Sequence, residues 1–297
     1  MSDPRQRADE LNERGRSLSD EGRTNEATDA YRSAIEADPT WSVPWYNLGL
    51  GHKYACEWTE SLECNRRAVA LDDSDAAAWW NLGIAATALG RWPEAREAWL
   101  RCGVAIPEGD GPVRAAFGPT PVRLDPQGRG EVVWCDRIGP ARAIIRNVPF
   151  PESGHCWGDL LLHDGAPNGY RILNGQEVPV FDALQRIGAS EHRTYILDLP
   201  GSTPEQRALI GDVASRLGGA AEDWSQSVAF LCRQCSEGRP HEQHDRALSG
   251  DRPELAVAAA AASDEQLSEI IEAWRGEAGY DGHVGSTAAT QMDDEAE

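Results

Sequence analysis

The sequence predicts two unlike parts, an all-α solenoid of three helix-turn-helix repeats over residues 8–109 and then an α+β domain followed by a C-terminal helix. Three observations predict this. A residue pattern recurs every 34 positions in the first third of the chain, prolines and glycines crowd residues 107–130, and beyond them the apolar residues fall in short β-branched runs.

The clearest copy of the pattern is Trp79, Leu82, Gly83, Ala95, Trp99 and Pro107. One step back it reads Trp45, Leu48, Gly49, Ser61, Asn65 and Asp73, and two steps back Leu11, Arg14, Gly15, Ala27, Tyr31 and Pro39. Residues three and four apart share one helix face, so the large residue, the leucine and the glycine of each unit line the same side of a first helix. A glycine there lets a second helix approach closely, and small residues at 27, 61 and 95 meet it. Tyr31 and Trp99 fill the wedge towards the next unit, and Pro39 and Pro107 stop the second helices, since proline lacks the N–H that a helix needs.

This spacing and residue set resembles the tetratricopeptide repeat, with units at 8–41, 42–75 and 76–109. The resemblance implies a concave face lined by the first helices, with Asn12, Arg16, Tyr46, Leu50, Lys53, Trp80, Ile84 and Thr87 as groove positions. Tyr46 and Trp80 occupy the same position of successive repeats and are the rigid aromatic anchors of that face. The implied partner is a protein or peptide. One subgroup of the family clamps peptide carboxyl ends with paired Lys, Asn and Arg; Asn47 fits one such position, but Asn12, Arg16, Ala77 and Asn81 do not reproduce the set.

Charge narrows the partners further. The chain of 297 residues carries 28 basic and 49 acidic side chains, a formal net charge of −21. Free nucleic acid is a poor partner for such a surface, because few cations are available to displace phosphate counterions. Met1–Arg16 is polar and lacks the apolar core of a signal peptide, and no run reaches the ~20 apolar residues that span a bilayer. The expectation is a cytoplasmic protein with no membrane contact and mostly reduced cysteines.

Residues 110–130 read as a Pro/Gly-rich linker, with short helical propensity at Val113–Phe117 that would cap the solenoid. The α+β domain is expected over 131–250. Its strands are Glu131–Cys135, Ala141–Val148, Leu160–Leu162 and Tyr195–Leu199, and Asn174-Gly175 suits a tight turn between Tyr170–Ile172 and Val178–Val180. Thr203, Pro204 and Gln206 mark a helix start, and Gly218-Gly219 its stop. C-terminal helices are expected over 251–281: an alanine-rich one at Pro253–Ala262, then one capped by Ser263 and Gln266 with Leu267, Ile270, Ile271 and Trp274 as its apolar stripe. Residues 282–297 read as a disordered acidic tail.

Two stretches carry chemistry. Cys232 and Cys235, two residues apart and followed by His241 and His244, are the thiolate and imidazole ligands that zinc prefers in a closed tetrahedral site, and zinc is the expected cofactor. His155, Cys156 and His163 are the alternative ligands. Around them, Pro151–Arg171 is polar and Gly-rich, with His155 and Asp159 as the acid/base candidates if the domain is catalytic. The reading is therefore an adaptor whose solenoid binds a protein, fused to a zinc-stabilised α+β module. Its alternative is a metal-dependent, hydrolase-like enzyme whose repeats recruit a protein partner or substrate.

Overall fold

The computed structural model describes residues 3–126, 131–224 and 256–289. It divides into two compact units, Met1–Ala115 with Gly139–Ala141, and Ala116–Ile138 with Arg142–Glu297.

The first unit holds three helical hairpins: α1 (Pro4–Asp20) with α2 (Thr24–Ala37), α3 (Ser42–Tyr54) with α4 (Trp58–Leu71), and α5 (Ala76–Ala88) with α6 (Trp92–Arg101). The recurring glycines act where the sequence places them. A Cβ added to Gly15 would stand 2.5 Å from the Tyr31 ring, and one on Gly83 would stand 2.7 Å from the Trp99 ring. No side chain fits between helix and ring there, so glycine is what lets the two helices of a hairpin pack. Ala27, Ser61 and Ala95 are buried in register beside these contacts. Each repeat is tied to the one before by the indole at its entry: Trp45 Nε1 donates to the Pro39 carbonyl at 3.4 Å, and Trp79 Nε1 to that of Asp73 at 2.9 Å. Arg66 on α4 adds a bidentate bond to Glu94 on α6, at 2.5 and 2.8 Å.

The second unit combines a closed barrel and a four-stranded sheet. The barrel strands are β1 (Pro119–Arg123), β2 (Val132–Gly139), β3 (Arg142–Ile145), β4 (Leu160–Leu173) and β5 (Gln176–Gly188). β1 closes it by pairing parallel with β5, Val122 opposite Phe181. Val122, Leu124, Val133, Cys135, Ala143, Ile145 and Leu161 fill the interior. β4 and β5 run on as a ribbon whose turn is Asn174-Gly175, both with positive φ (51° and 79°), as a type I′ turn requires.

The sheet follows from β6 (Arg193–Asp198), α7 (Pro204–Arg216), β7 (Ala220–Asp223), β8 (Ala256–Ala261), α8 (Asp264–Ala278) and β9 (Gly285–Ala288). Strand order is β7-β8-β6-β9, and every pairing is antiparallel. Each crossover helix thus joins strands with another strand between them, the split βαβ arrangement of ferredoxin-like domains. α7 carries the expected capping box at Thr203 and Gln206, and Ser263 caps α8. Both helices cover one face, where Ile210, Val213, Leu267, Ile270 and Trp274 meet Tyr195, Leu197, Val257 and Ala259. Ala258 and Ala260 on the opposite face pack under Val148, Phe150 and Trp224.

Four boundaries expected from sequence are corrected. The alanine-rich stretch is strand β8, not a helix, so the 251–281 segment is not helical throughout. Hydrogen bonds to β6 and β7 on both sides, with helices over one face and aromatics over the other, outweigh alanine's helix propensity. The boundary at 250 consequently falls inside one sheet. The 282–297 tail contributes β9, paired with β6. The 110–130 linker contains β1, and Val113–Phe117 forms no helix; instead Arg96 holds the segment by donating to the carbonyls of Pro107 and Gly111, at 2.6 and 2.7 Å.

Each solenoid hairpin turns through one residue with positive φ: Gly22 (74°), Cys56 (56°) and Gly90 (66°). A side chain at such a position is strained. Cys56→Gly is therefore expected to stabilise the first unit by about 1 kcal/mol in chemical denaturation; unchanged or lower stability would show that the thiol's contacts outweigh the strain.

Candidate functional site

The first helices α1, α3 and α5 bring the groove residues into one series. Asn47 Nδ2 donates to Asn12 Oδ1 at 2.9 Å, from the second repeat back to the first. Lys53 Nζ donates to Asn81 Oδ1 at 3.3 Å, from the second repeat to the third, and sits 4.5 Å from the Tyr54 ring. Asn47 and Asn81 share one repeat position, as do Tyr46 and Trp80. Trp80 meets Trp99 edge-on with centroids 5.1 Å apart, and its indole N–H has no acceptor among the described residues. Exposure divides the expected groove set. Arg16 is exposed and pairs with Glu13, while Tyr46, Leu50 and Trp80 are half-buried. Asn12, Lys53, Ile84 and Thr87 are buried, so they shape the face rather than present it. Sequence spacing could not separate these groups, because repeat register fixes a direction and not what lies above it.

In the second unit His155 and Asp159 do come together. A short helical turn, Pro151–Ser153, ends at Gly154 with φ 69°, and the chain then loops so that Asp159 faces back into it. Asp159, 1% exposed, accepts from the backbone N–H groups of Cys156 (3.0 Å) and Ser190 (2.7 Å). Arg186 Nη1 stands at 3.5 Å and His155 Nδ1 at 3.4 Å. Burial pushes this carboxyl up, but His155, the two N–H donors and Arg186 outweigh it and hold it below the ordinary range. A carboxylate so fully engaged is a fixed charge that pins the 154–159 loop to the chain at Ser190, and it is not poised to carry protons.

The neighbouring Ser190 and His192 are equally committed. His192 Nε2 lies 3.0 Å from the Gly218 carbonyl and Nδ1 lies 3.1 Å from Ser190 Oγ. Gly158, at φ +88°, covers that hydroxyl so closely that an added Cβ would stand 2.9 Å from it. Sequence inspection passed over this pair, although two residues of spacing between Ser and His permit a local bond.

His163 lies apart from this cluster in the barrel wall. It is 0% exposed; Nδ1 donates to the Asp164 carbonyl at 2.7 Å, and the ring lies against Phe181 with centroids 5.1 Å apart. Nε2 therefore carries the lone pair, buried without a hydrogen-bond partner among the described residues. Burial, with Arg137 nearby, lowers this imidazole to about 4. Among the described residues no three of His, Cys, Asp and Glu are grouped to hold a metal ion, so His155, Cys156 and His163 make no such set by themselves. Cys232, Cys235, His241 and His244 lie outside the described residues.

No protein-family model matches the chain, and a search of curated proteins finds no match. Solved structures do align with its first third. The second TPR of Spaghetti (RPAP3) bound to the HSP90 peptide SRMEEVD is 26% identical over 33% of this chain and 91% of its own, with a TM-score of 0.32. MamA is 25% identical over 32% and 56%, at 0.31. The Sgt2 TPR domain from Aspergillus fumigatus is 21% identical over 32% and 63%, also at 0.31. The chain's own geometry settles the fold of this region: three hairpins with glycine, small and wedge residues in register form a solenoid of the tetratricopeptide kind.

His163 makes the second unit sensitive to acid. An unfolded histidine titrates near 6.5, whereas folded His163 stays neutral down to about 4. Between these values the unfolded chain binds a proton that the folded chain excludes, so this contribution is complete above about 6.5 and is lost as pH falls. Urea unfolding at pH 7.5 and 4.5 should show about 2–3 kcal/mol more acid loss in the wild type than in His163→Asn. An equal loss in both would remove His163 as the cause.

Proposed function

We propose that the chain is a protein-binding adaptor whose solenoid holds an extended partner segment along the face of α1, α3 and α5. The observation that carries this reading is the recurrence of like chemistry one repeat apart on that face, Tyr46 then Trp80 and Asn47 then Asn81. An extended peptide presents amides and side chains at regular intervals, so amide and aromatic groups recurring at fixed spacing suit it. Half-buried Tyr46, Leu50 and Trp80 supply apolar contact, and half-buried Asn47 supplies a hydrogen bond to a peptide backbone, while buried Asn81 supports the face from beneath. The second unit is the adaptor's other module. Asp159, Ser190 and His192 are engaged in holding its loops and strands together, and a structural zinc held by Cys232, Cys235, His241 and His244 is supported by ligand type and sequence proximity.

Selection of displayed peptides against the full chain tests this. Selected peptides should bind the wild type, and Tyr46→Ala/Asn47→Ala should weaken them at least about tenfold while circular dichroism shows the helices retained. Equal binding by the double variant would move the recognition surface elsewhere.

A further inference from the structure

The middle repeat departs from its neighbours at five places where those two agree in kind. At the hairpin turn, Gly22 and Gly90 correspond to Cys56, a non-glycine residue at φ 56°. Just after it, Arg23–Glu26 and Arg91–Glu94 form ion pairs at 2.6 and 3.2 Å, but the same positions in the middle repeat hold Glu57 and Glu60. The end of the first helix is apolar at Leu18 and Ala86 and imidazole at His52, whose Nδ1 lies 2.5 Å from Glu57. Ala27 and Ala95 correspond to Ser61, which donates to the Gly49 carbonyl at 2.9 Å inside the hairpin.

The fifth place is the wedge. Tyr31 and Trp99 lie over Gly15 and Gly83, whereas Asn65 lies over Gly49. Asn65 is 0% exposed; its amide nitrogen donates to the Ser61 carbonyl at 2.8 Å, and its Oδ1 has no hydrogen-bond partner among the described residues. An aromatic contact is thus replaced by a smaller polar group with one buried acceptor left over, which is costly in a low-dielectric interior.

We infer that the α3–α4 hairpin is a built-in soft seam, which opens locally so that the first and third repeats move relative to each other. In a linear array, stability adds up from the repeats and their interfaces, so a uniform solenoid is tightest in the middle, where a repeat has two neighbours. Here turn strain, the loss of the neighbours' Arg–Glu pair at the turn and a polar interior all act on that repeat. The face of α1, α3 and α5 therefore bends at its centre, and the inference stands whether or not that face binds a peptide.

Hydrogen exchange of the full chain, read by mass spectrometry, tests it. Amides of α3 and α4 should exchange at least about tenfold faster than those of α5 and α6. Two variants that import the neighbours' residues, Cys56→Gly/Glu57→Arg at the turn and Ser61→Ala/Asn65→Tyr inside the hairpin, should each slow α3–α4 exchange; the turn variant leaves the interior untouched and keeps the test open if the second packs poorly. Slowest exchange in α3–α4 of the wild type, or no slowing in the turn variant, would overturn the inference.

Discussion

The solenoid depends on the near-contact of a backbone with a ring. At Gly15 and Gly83 the first helix of a hairpin has no side chain, and Tyr31 or Trp99 of the second helix lies where a Cβ would be. That contact sets the distance between paired helices, and from it follow the burial of Ala27 and Ala95 and the direction in which the first helices present their remaining residues. The groove chemistry, Tyr46 and Asn47 followed by Trp80 and Asn81, falls in register because the 34-residue repeat places each pair at the same position of successive first helices.

The second unit solves a different problem, how to bury polar and small groups in a sheet covered on both sides. Strand β8 is nearly all alanine because little room remains above it; Gly219 alone would bring a Cβ within 2.5 Å of the Ala260 carbonyl. Polar groups at the junction of barrel and sheet are matched to partners. Asn147 links the Trp134 N–H to Glu222, whose carboxyl burial pushes upward, and Trp224 donates to the Val148 carbonyl at 3.2 Å. Arg123, buried in β1, is held by Asp182 at 2.7 Å and by the Asn168 carbonyl. Such groups are stable in a low dielectric only when satisfied, which accounts for their local arrangement without appeal to catalysis.

Elements whose structure is dictated by adjacent residues were legible in the sequence. Asn174-Gly175 demands two positive φ values, Thr203 and Gln206 close a capping box, and the repeat glycines fall in register, so each was read at its place. Elements decided by distant neighbours were not. Alanines 258–261 favour a helix until β6 and β7 flank them. β1 hides among prolines because β5 pairs only with Val122 and Arg123, leaving Pro119 and Pro121 where one side of the strand needs no donor. The site was half legible for the same reason. Repeat register gives a direction on the first helices, but that Lys53 and Asn12 are buried while Tyr46 is half-buried depends on three-dimensional cover. His155 and Asp159, the acid/base candidates, lie 3.4 Å apart, yet the backbone donors that commit Asp159 to holding its loop have no sequence signature.

The close approach of helix to ring can be tested with two glycines of the same fold. Gly83 faces Trp99, whereas an added Cβ on Gly51 in α3 meets nothing within 4 Å among the described residues. Thermal unfolding of Gly83→Ala and Gly51→Ala compares one methyl group with and without the ring beneath it. The account predicts opposite signs: Gly51→Ala gains roughly 0.5–1 kcal/mol from helix propensity, and Gly83→Ala loses about 1–3 kcal/mol because Trp99 must move. Equal stabilisation in both would show that the ring does not set the helix spacing, and the repeat architecture would need another cause.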